Sequence, residues 1–283
     1  MDKSVPSGEI QGELTPPCSK SYAQRALAAA LLAEGESTLR NIELCDDTRS
    51  AMRCIEALGA DITVVDTHTL KIRGGLAPRG RTLCVGESGL STRLFTPIAA
   101  LAGVPLRIEG VGTLLRRPMT MMIAPLRQLG VDVRHRDGFL PFDICGPLHG
   151  ATVEVDGSVS SQFITGLLLA LPAAHGEFTL EVQRAVSTPY IDMTVEAARR
   201  FGVEILHNGY TQFYIEGGQQ YKPTDYSIEG DWSAAATLLV AGAVAGEVTL
   251  RNVPILSKQA DTAICTALER AGAELIHEMD RIT

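Results

Sequence analysis

The chain has 283 residues, of which 45% are hydrophobic and 20% charged, and its formal net charge is −8 at neutral pH. That is the make-up of a soluble globular protein with material for about two domains. The acidic balance argues against a nonspecific nucleic-acid binder, yet a few local cations can still dominate an anion-binding cleft.

In chain order, residues 1–11 are polar and lack the apolar stretch of a secretory signal. Ser19-Lys20-Ser21 then opens an Ala- and Leu-rich helix over 22–33, closed by Gly35. After Arg25 this helix is apolar on nearly every side, so it is predicted to be buried all round. A strand follows over 37–42. Asp46-Asp47-Thr48 caps a second helix that stops at Gly59, and 62–65 and 69–72 alternate as a hairpin. The same order returns three times. Buried helices are predicted over 90–102, 162–173 and 233–245. Second helices are predicted from Arg117-Pro118, Pro189-Tyr190 and Gln259-Ala260. The longest apolar run, 234–246, is too short to span a bilayer and reads as a buried helix.

The recurrence is also literal. Leu58-Gly59-Ala60-Asp61-Ile62 returns as Leu129-Gly130-Val131-Asp132-Val133, Phe201-Gly202-Val203-Glu204-Ile205 and Ala271-Gly272-Ala273-Glu274-Leu275, at separations of 71, 72 and 70 residues. A second motif, beginning at Gly35, Gly103, Gly176 and Gly246, keeps the same phase. Two motifs in phase define one supersecondary unit, βαβαββ, used four times. The fourth unit stops at Arg281-Ile282-Thr283, inside its expected last strand, which predicts a truncated chain.

Small polar residues gather where the buried helices begin: Ser19-Lys20-Ser21, Glu87-Ser88-Gly89-Leu90-Ser91, Ser158-Val159-Ser160-Ser161-Gln162 and Asp231-Trp232-Ser233. Helix capping accounts for any one of them. Several buried helices aiming their N-termini at one cleft would instead build an anion site. Cations favour the second reading. Lys20 lies at a helix start, and Arg25 and Arg93, 68 residues apart, hold the same place in successive units. A salt bridge to an acidic neighbour is the competing account of each buried arginine. Arg116-Arg117-Pro118, read as a helix start, opposes the helix dipole unless an anion sits there. The six cysteines show no C-x-x-C spacing, and no ligand cluster for a metal or organic cofactor is present, so none is predicted; the thiols suit a reducing cytoplasm.

These residues resemble the enolpyruvyl transferase family, most closely its EPSP synthase branch. The likeness runs from Ser19-Lys20-Ser21-x-x-x-Arg25 through Ser160-Ser161-Gln162-Phe163 and Ser187-Thr188-Pro189-Tyr190-Ile191-Asp192 to Gly230-Asp231-Trp232-Ser233. It implies an α/β fold of six βαβαββ units in two prism-like domains, with the active site between them. Here 18–221 would be a complete domain of three units, and 1–17 plus 222–283 one unit of an incomplete second. The implied reaction transfers the enolpyruvyl group of phosphoenolpyruvate to the 5-hydroxyl of shikimate 3-phosphate by addition and elimination. It releases phosphate on the route to chorismate and the aromatic amino acids.

By the same resemblance, Lys20 would touch both substrates and be the catalytic residue. Ser21, Arg25, Ser160, Ser161 and Ser187 would hold shikimate 3-phosphate, and Gln162 would lie between the ligands. Gly89 and Arg117 would meet phosphoenolpyruvate. Arg93 and Tyr190 are weaker candidates. Where the family has Asn-Ala-Gly-Thr, this chain has Glu87-Ser88-Gly89-Leu90, which adds a negative charge and removes a hydroxyl. That departure bears on phosphoenolpyruvate affinity and on the response to glyphosate. The family's acidic proton-transfer residues lie in units absent here, so binding without turnover is expected of this chain. The implied partners are small anionic substrates, with no membrane or nucleic acid, and a cytoplasmic protein, monomeric at full length. Two alternatives stand beside this reading. The UDP-N-acetylglucosamine branch usually has Lys-Asn in place of Lys20-Ser21 and a cysteine in the loop before Arg117. A non-catalytic repeat scaffold leaves Arg25 and Arg93 unexplained.

Overall fold

The computed structural model describes residues 8–283, so the expectations for 1–7, their lack of a secretory signal and their place in a second domain, lie outside the described residues. The chain begins with β1 (Ile10–Leu14). There follow α1 (Lys20–Leu32), β2 (Gly35–Arg40), α2 (Asp46–Ala57), β3 (Asp61–Asp66) and β4 (Thr69–Gly74). The second repeat is β5 (Thr82–Cys84), α3 (Gly89–Ala100), β6 (Leu106–Glu109), α4 (Ile123–Gln128), β7 (Asp132–Arg136) and β8 (Phe139–Cys145). The third is β9 (Thr152–Asp156), α5 (Ser161–Ala170), β10 (Glu177–Gln183), α6 (Thr188–Arg200), β11 (Leu206–Asn208) and β12 (Gln212–Glu216). Then come β13 (Asp225–Ser227), α7 (Trp232–Ala245), β14 (Gly246–Arg251), α8 (Ala263–Arg270) and β15 (Arg281–Ile282).

Among the described residues two compact units form: Lys20–Ser227, and 8–19 with Ile228–Thr283. The larger holds three four-stranded sheets of one design, ordered β13-β2-β4-β3, β5-β6-β8-β7 and β9-β10-β12-β11. In each, one parallel pair is followed by an antiparallel meander; β9 runs parallel to β10, for example, and β10 antiparallel to β12. Burial alternates along the strands, so Leu39, Leu70 and Ile72 in the first sheet and Ile108, Phe142 and Ile144 in the second face inward. Against these faces lie α1, α3 and α5. In α1 every residue from Tyr22 to Leu31 is buried, because its apolar residues surround the axis instead of forming one stripe. Each fully buried leucine or phenylalanine contributes about 2 kcal/mol.

Three features differ from the sequence reading. First, the strand before α7 does not join α7's own repeat. β1 pairs in parallel with β14 in the smaller unit, and β13, which precedes α7, pairs in parallel with β2 in the larger. The boundary therefore falls after Ser227 and not at 221. Second, no helix starts at Arg117-Pro118. Arg117 is extended (φ −93°, ψ 122°) and ends a 3-10 turn at Gly112–Arg116; the proline after it disfavours helical backbone at this position. The second helix of that repeat begins at Ile123, and that of the fourth at Ala263 behind a short 3-10 turn. Third, α7 is not buried all round. Trp232, Ala235, Leu239 and Gly242 form its one buried stripe, against a sheet of only three strands, β1-β14-β15.

Among the described residues, no helix is long and apolar enough to cross a membrane. The smaller unit exposes apolar surface at Val244 (81%), Leu256 (80%) and Met279 (81%). It is expected to bind an apolar fluorescent dye and to self-associate, with Val244→Lys lowering both. A monodisperse monomer that leaves the dye dark would contradict this.

Candidate functional site

Where α5 and α6 begin beside α1, a cavity of about 330 Å³ opens, lined by Ser21, Arg25, Leu90, Val159, Ser160, Ser161, Gln162, Val186, Ser187 and Tyr190. Seven of the sequence candidates meet there, from three helices separated by up to 169 positions in the chain. Ser160 caps α5, its hydroxyl accepting from the Gln162 N–H at 3.1 Å. Ser187 stands at the N-cap of α6 with left-handed backbone (φ 55°, ψ 44°) and makes no capping bond. A non-glycine residue there carries strain of about 1 kcal/mol, a feature that clusters at ligand sites.

Arg25 is 1% exposed, and its donors go to neutral oxygens. Nε donates to Thr194 Oγ1 at 2.9 Å. Nη2 donates to Thr165 Oγ1 at 3.1 Å and to the Tyr190 carbonyl at 2.9 Å, and Nη1 to the Ser21 carbonyl at 2.8 Å. No carboxylate pairs with it among the described residues, so the salt-bridge account of this arginine fails. Burial pushes the guanidinium down to about 10, which leaves it charged at neutral pH. Four of its five N–H groups are accounted for.

Gln162 joins this cavity to a second cationic cluster. Its Oε1 accepts from Arg93 Nη1 at 2.8 Å, and the same nitrogen reaches the Gly89 carbonyl at 3.3 Å. Arg93 also lacks a carboxylate partner among the described residues, and its Nε is buried without an acceptor. Burial first, then the charge of Arg117, holds Arg93 below its usual range. A Cβ on Gly89 would sit 3.0 Å from Arg93 Nη1 and 3.6 Å from Arg117 Nη1, so this glycine keeps the space between two guanidiniums clear. Glu87 accepts from the Thr113 hydroxyl at 3.0 Å and its N–H at 3.3 Å, and Arg117 Nη2 lies 3.5 Å from that hydroxyl. Leu90 supplies an apolar wall to the cavity.

Lys20 is not brought into either cluster. Its ammonium pairs with Asp47 at 3.4 Å on the surface of α2. Larger concavities exist, of about 560 and 580 Å³. The first lies on the β5-β6-β8-β7 sheet, and its Arg107 is already committed to Glu109 and Asp143. The sequence reading missed Thr165 and Thr194, which hold Arg25. The signal was the helical spacing: each stands four residues after a candidate, Ser161 and Tyr190, and so one turn below it on the same face. No group of three or more His, Cys, Asp or Glu is placed to hold a metal among the described residues.

The family model described as EPSP synthase (3-phosphoshikimate 1-carboxyvinyltransferase) matches residues 5–283. The chain belongs to the EPSP synthase family. The 3-phosphoshikimate 1-carboxyvinyltransferase of Clostridium beijerinckii is 36% identical over 95% of this chain and 64% of its own length. That of Thermococcus kodakarensis is 39% identical over 98% of this chain and 66% of its own. A solved EPSP synthase from Acinetobacter baumannii is 25% identical and superposes over 98% of this chain and 65% of that one, with a TM-score of 0.86. The chain thus spans about two thirds of the length of these EPSP synthases. Their shared name favours the EPSP synthase branch over the UDP-N-acetylglucosamine branch.

Proposed function

We propose that the protein takes part in enolpyruvyl transfer from phosphoenolpyruvate to the 5-hydroxyl of shikimate 3-phosphate, and that the 330 Å³ cavity is the shikimate 3-phosphate half of the site. The observation that carries this is Arg25, a charged guanidinium in a buried wall with no acidic partner among the described residues, at a cavity lined by the start of α5 and by four serines, Ser21, Ser160, Ser161 and Ser187. A buried cation without a counter-charge costs stability unless an anion compensates it. Helix N–H groups and hydroxyls satisfy phosphate and sugar-like hydroxyl oxygens. In this reading Ser21, Arg25, Ser160, Ser161 and Ser187 hold shikimate 3-phosphate, with Tyr190 against its ring. Gly89, Arg93 and Arg117 take phosphoenolpyruvate, and Gln162 touches both.

Attack of the 5-hydroxyl on phosphoenolpyruvate, with a proton added to its methylene carbon, gives a tetrahedral adduct. Loss of phosphate and of a proton from the new methyl group then gives the enol ether. Fixed guanidiniums favour the loss of phosphate because they face the charge that develops on its oxygens as the bond breaks. Lys20 reaches the substrates by leaving Asp47. Exposed ion pairs of this kind contribute little, so the swing is inexpensive. The three-repeat unit is read as one whole domain, the small anionic metabolites as the partners, and the cytoplasm as the setting.

Calorimetric titration with shikimate 3-phosphate tests the reading on this chain itself. Saturable binding by the parent, lost in a Lys20→Ala/Arg25→Ala variant, is the expected result. A folded parent that takes up no ligand would count against the cavity's assignment. A second expectation concerns Glu87. Glu87→Gln keeps the contact to Thr113 and removes a negative charge beside Arg117, so phosphoenolpyruvate should bind about threefold tighter at low salt. Equal affinity at low ionic strength would mean that Glu87 does not tune the site.

A further inference from the structure

We propose that Thr165 and Thr194 are positioning residues that fix the Arg25 guanidinium for its anion; this rests on the shikimate 3-phosphate reading of the cavity. Both threonines are fully buried, on α5 and α6. The proton inventory of the cluster has one consistent solution. Thr194 Oγ1 donates its single proton to the Tyr190 carbonyl at 2.7 Å. In the Thr165–Thr194 contact at 3.0 Å, Thr165 must therefore be the donor. Thr194 Oγ1 is then left to accept from Arg25 Nε, and Thr165 Oγ1 from Arg25 Nη2. With the two carbonyls, four N–H groups of the guanidinium are tied down, and one N–H of Nη1, the nitrogen nearest Ser21, remains for the cavity.

The chemistry of the pair explains its use. A carboxylate at either position would hold Arg25 as firmly but would cancel its charge. Neutral hydroxyls fix the plane of the fork and leave the charge for the ligand. Because Thr194 also ties the Tyr190 carbonyl, and Thr165 lies one turn from Ser161, one cluster sets the guanidinium relative to the starts of both helices that line the cavity.

The test compares the parent with T165V, T194V and T194S. Valine keeps the shape and removes the acceptor; serine restores the acceptor. Two quantities are read: the Arg25 Nε–H resonance in nitrogen-15 spectra, assigned by its loss in Arg25→Met, and the affinity for shikimate 3-phosphate. T194V should shift or broaden the Nε–H resonance and weaken binding about tenfold, and T194S should return both to the parent values. T165V should weaken binding by a similar factor through Nη2. Parent-like resonance and affinity in T194V would overturn the proposal, as would equal losses in T194V and T194S, which would mark a packing role. If T194V does not fold, T165V and T194S decide on the same criteria. A parent that ignores shikimate 3-phosphate defeats the ligand reading alone. Inorganic phosphate then serves as the probe, and an Nε–H resonance and phosphate affinity unchanged in T194V still overturn the positioning role.

Discussion

Replacing Arg25 with methionine is expected to weaken shikimate 3-phosphate binding roughly a hundredfold while changing stability by no more than about 2 kcal/mol. The two effects separate because the guanidinium is costly without its ligand. Burial lowers it from its usual range to about 10, a penalty of about 3 kcal/mol on the folded state. The sign follows from linkage. The unfolded chain holds this proton more tightly, so the penalty is present in full below about pH 10 and fades only as pH rises above it towards the ordinary guanidinium range. Methionine removes that penalty and also removes four hydrogen bonds. No acceptor is orphaned by the change. Thr165 and Thr194 keep each other, the Tyr190 carbonyl keeps Thr194, and the Ser21 carbonyl keeps its helical bond. Binding has no such compensation, because a charge-assisted contact in a dry site is worth about 3 kcal/mol. Calorimetry and denaturant melts on one preparation read both quantities. A variant that binds as the parent does would remove Arg25 from the site.

Gly166→Ala should cost the larger unit about 3 kcal/mol and lower its melting temperature on the order of 10 °C. Here α3 and α5 approach backbone to backbone. A Cβ at 166 would collide with the Arg93 carbonyl oxygen, and would sit 2.9 Å from Pro97 Cγ and 3.1 Å from the Arg93 carbonyl carbon. Neither a carbonyl nor a proline ring can rotate away, so the helices must part. The loss should reach the site too. Parting α3 from α5 stretches the 2.8 Å bond between Arg93 and Gln162, which links the two cationic clusters. Melting within a degree of the parent would show that the helices are not in close contact at this point.

Much of the architecture was legible in the sequence because repeats and periodicity are local signals. The motif spacing defined the unit, the Ala- and Leu-rich runs defined α1, α3 and α5, and hydroxyl residues with Arg25 and Arg93 marked the helix starts that gather at the cavity. Each motif, apolar run and helix start is itself a short continuous stretch of chain. What only the tertiary structure decided is non-local. The strand before α1 and the strand before α7 each pair in the other's sheet, a choice that no pattern within either strand encodes. The apolar run of α7 matches α1 in composition but stays half exposed, because burial depends on what surrounds a helix as well as on its own residues. Arg117 ends a 3-10 turn in extended backbone, whereas Thr188 before Pro189 opens α6, so the same Pro signal marks a helix start in one repeat and not in the other. Arg25 looked equally suited to a salt bridge or a ligand. The choice lay with Thr165 and Thr194, 140 and 169 residues away, where the fold supplies hydroxyls and no carboxylate.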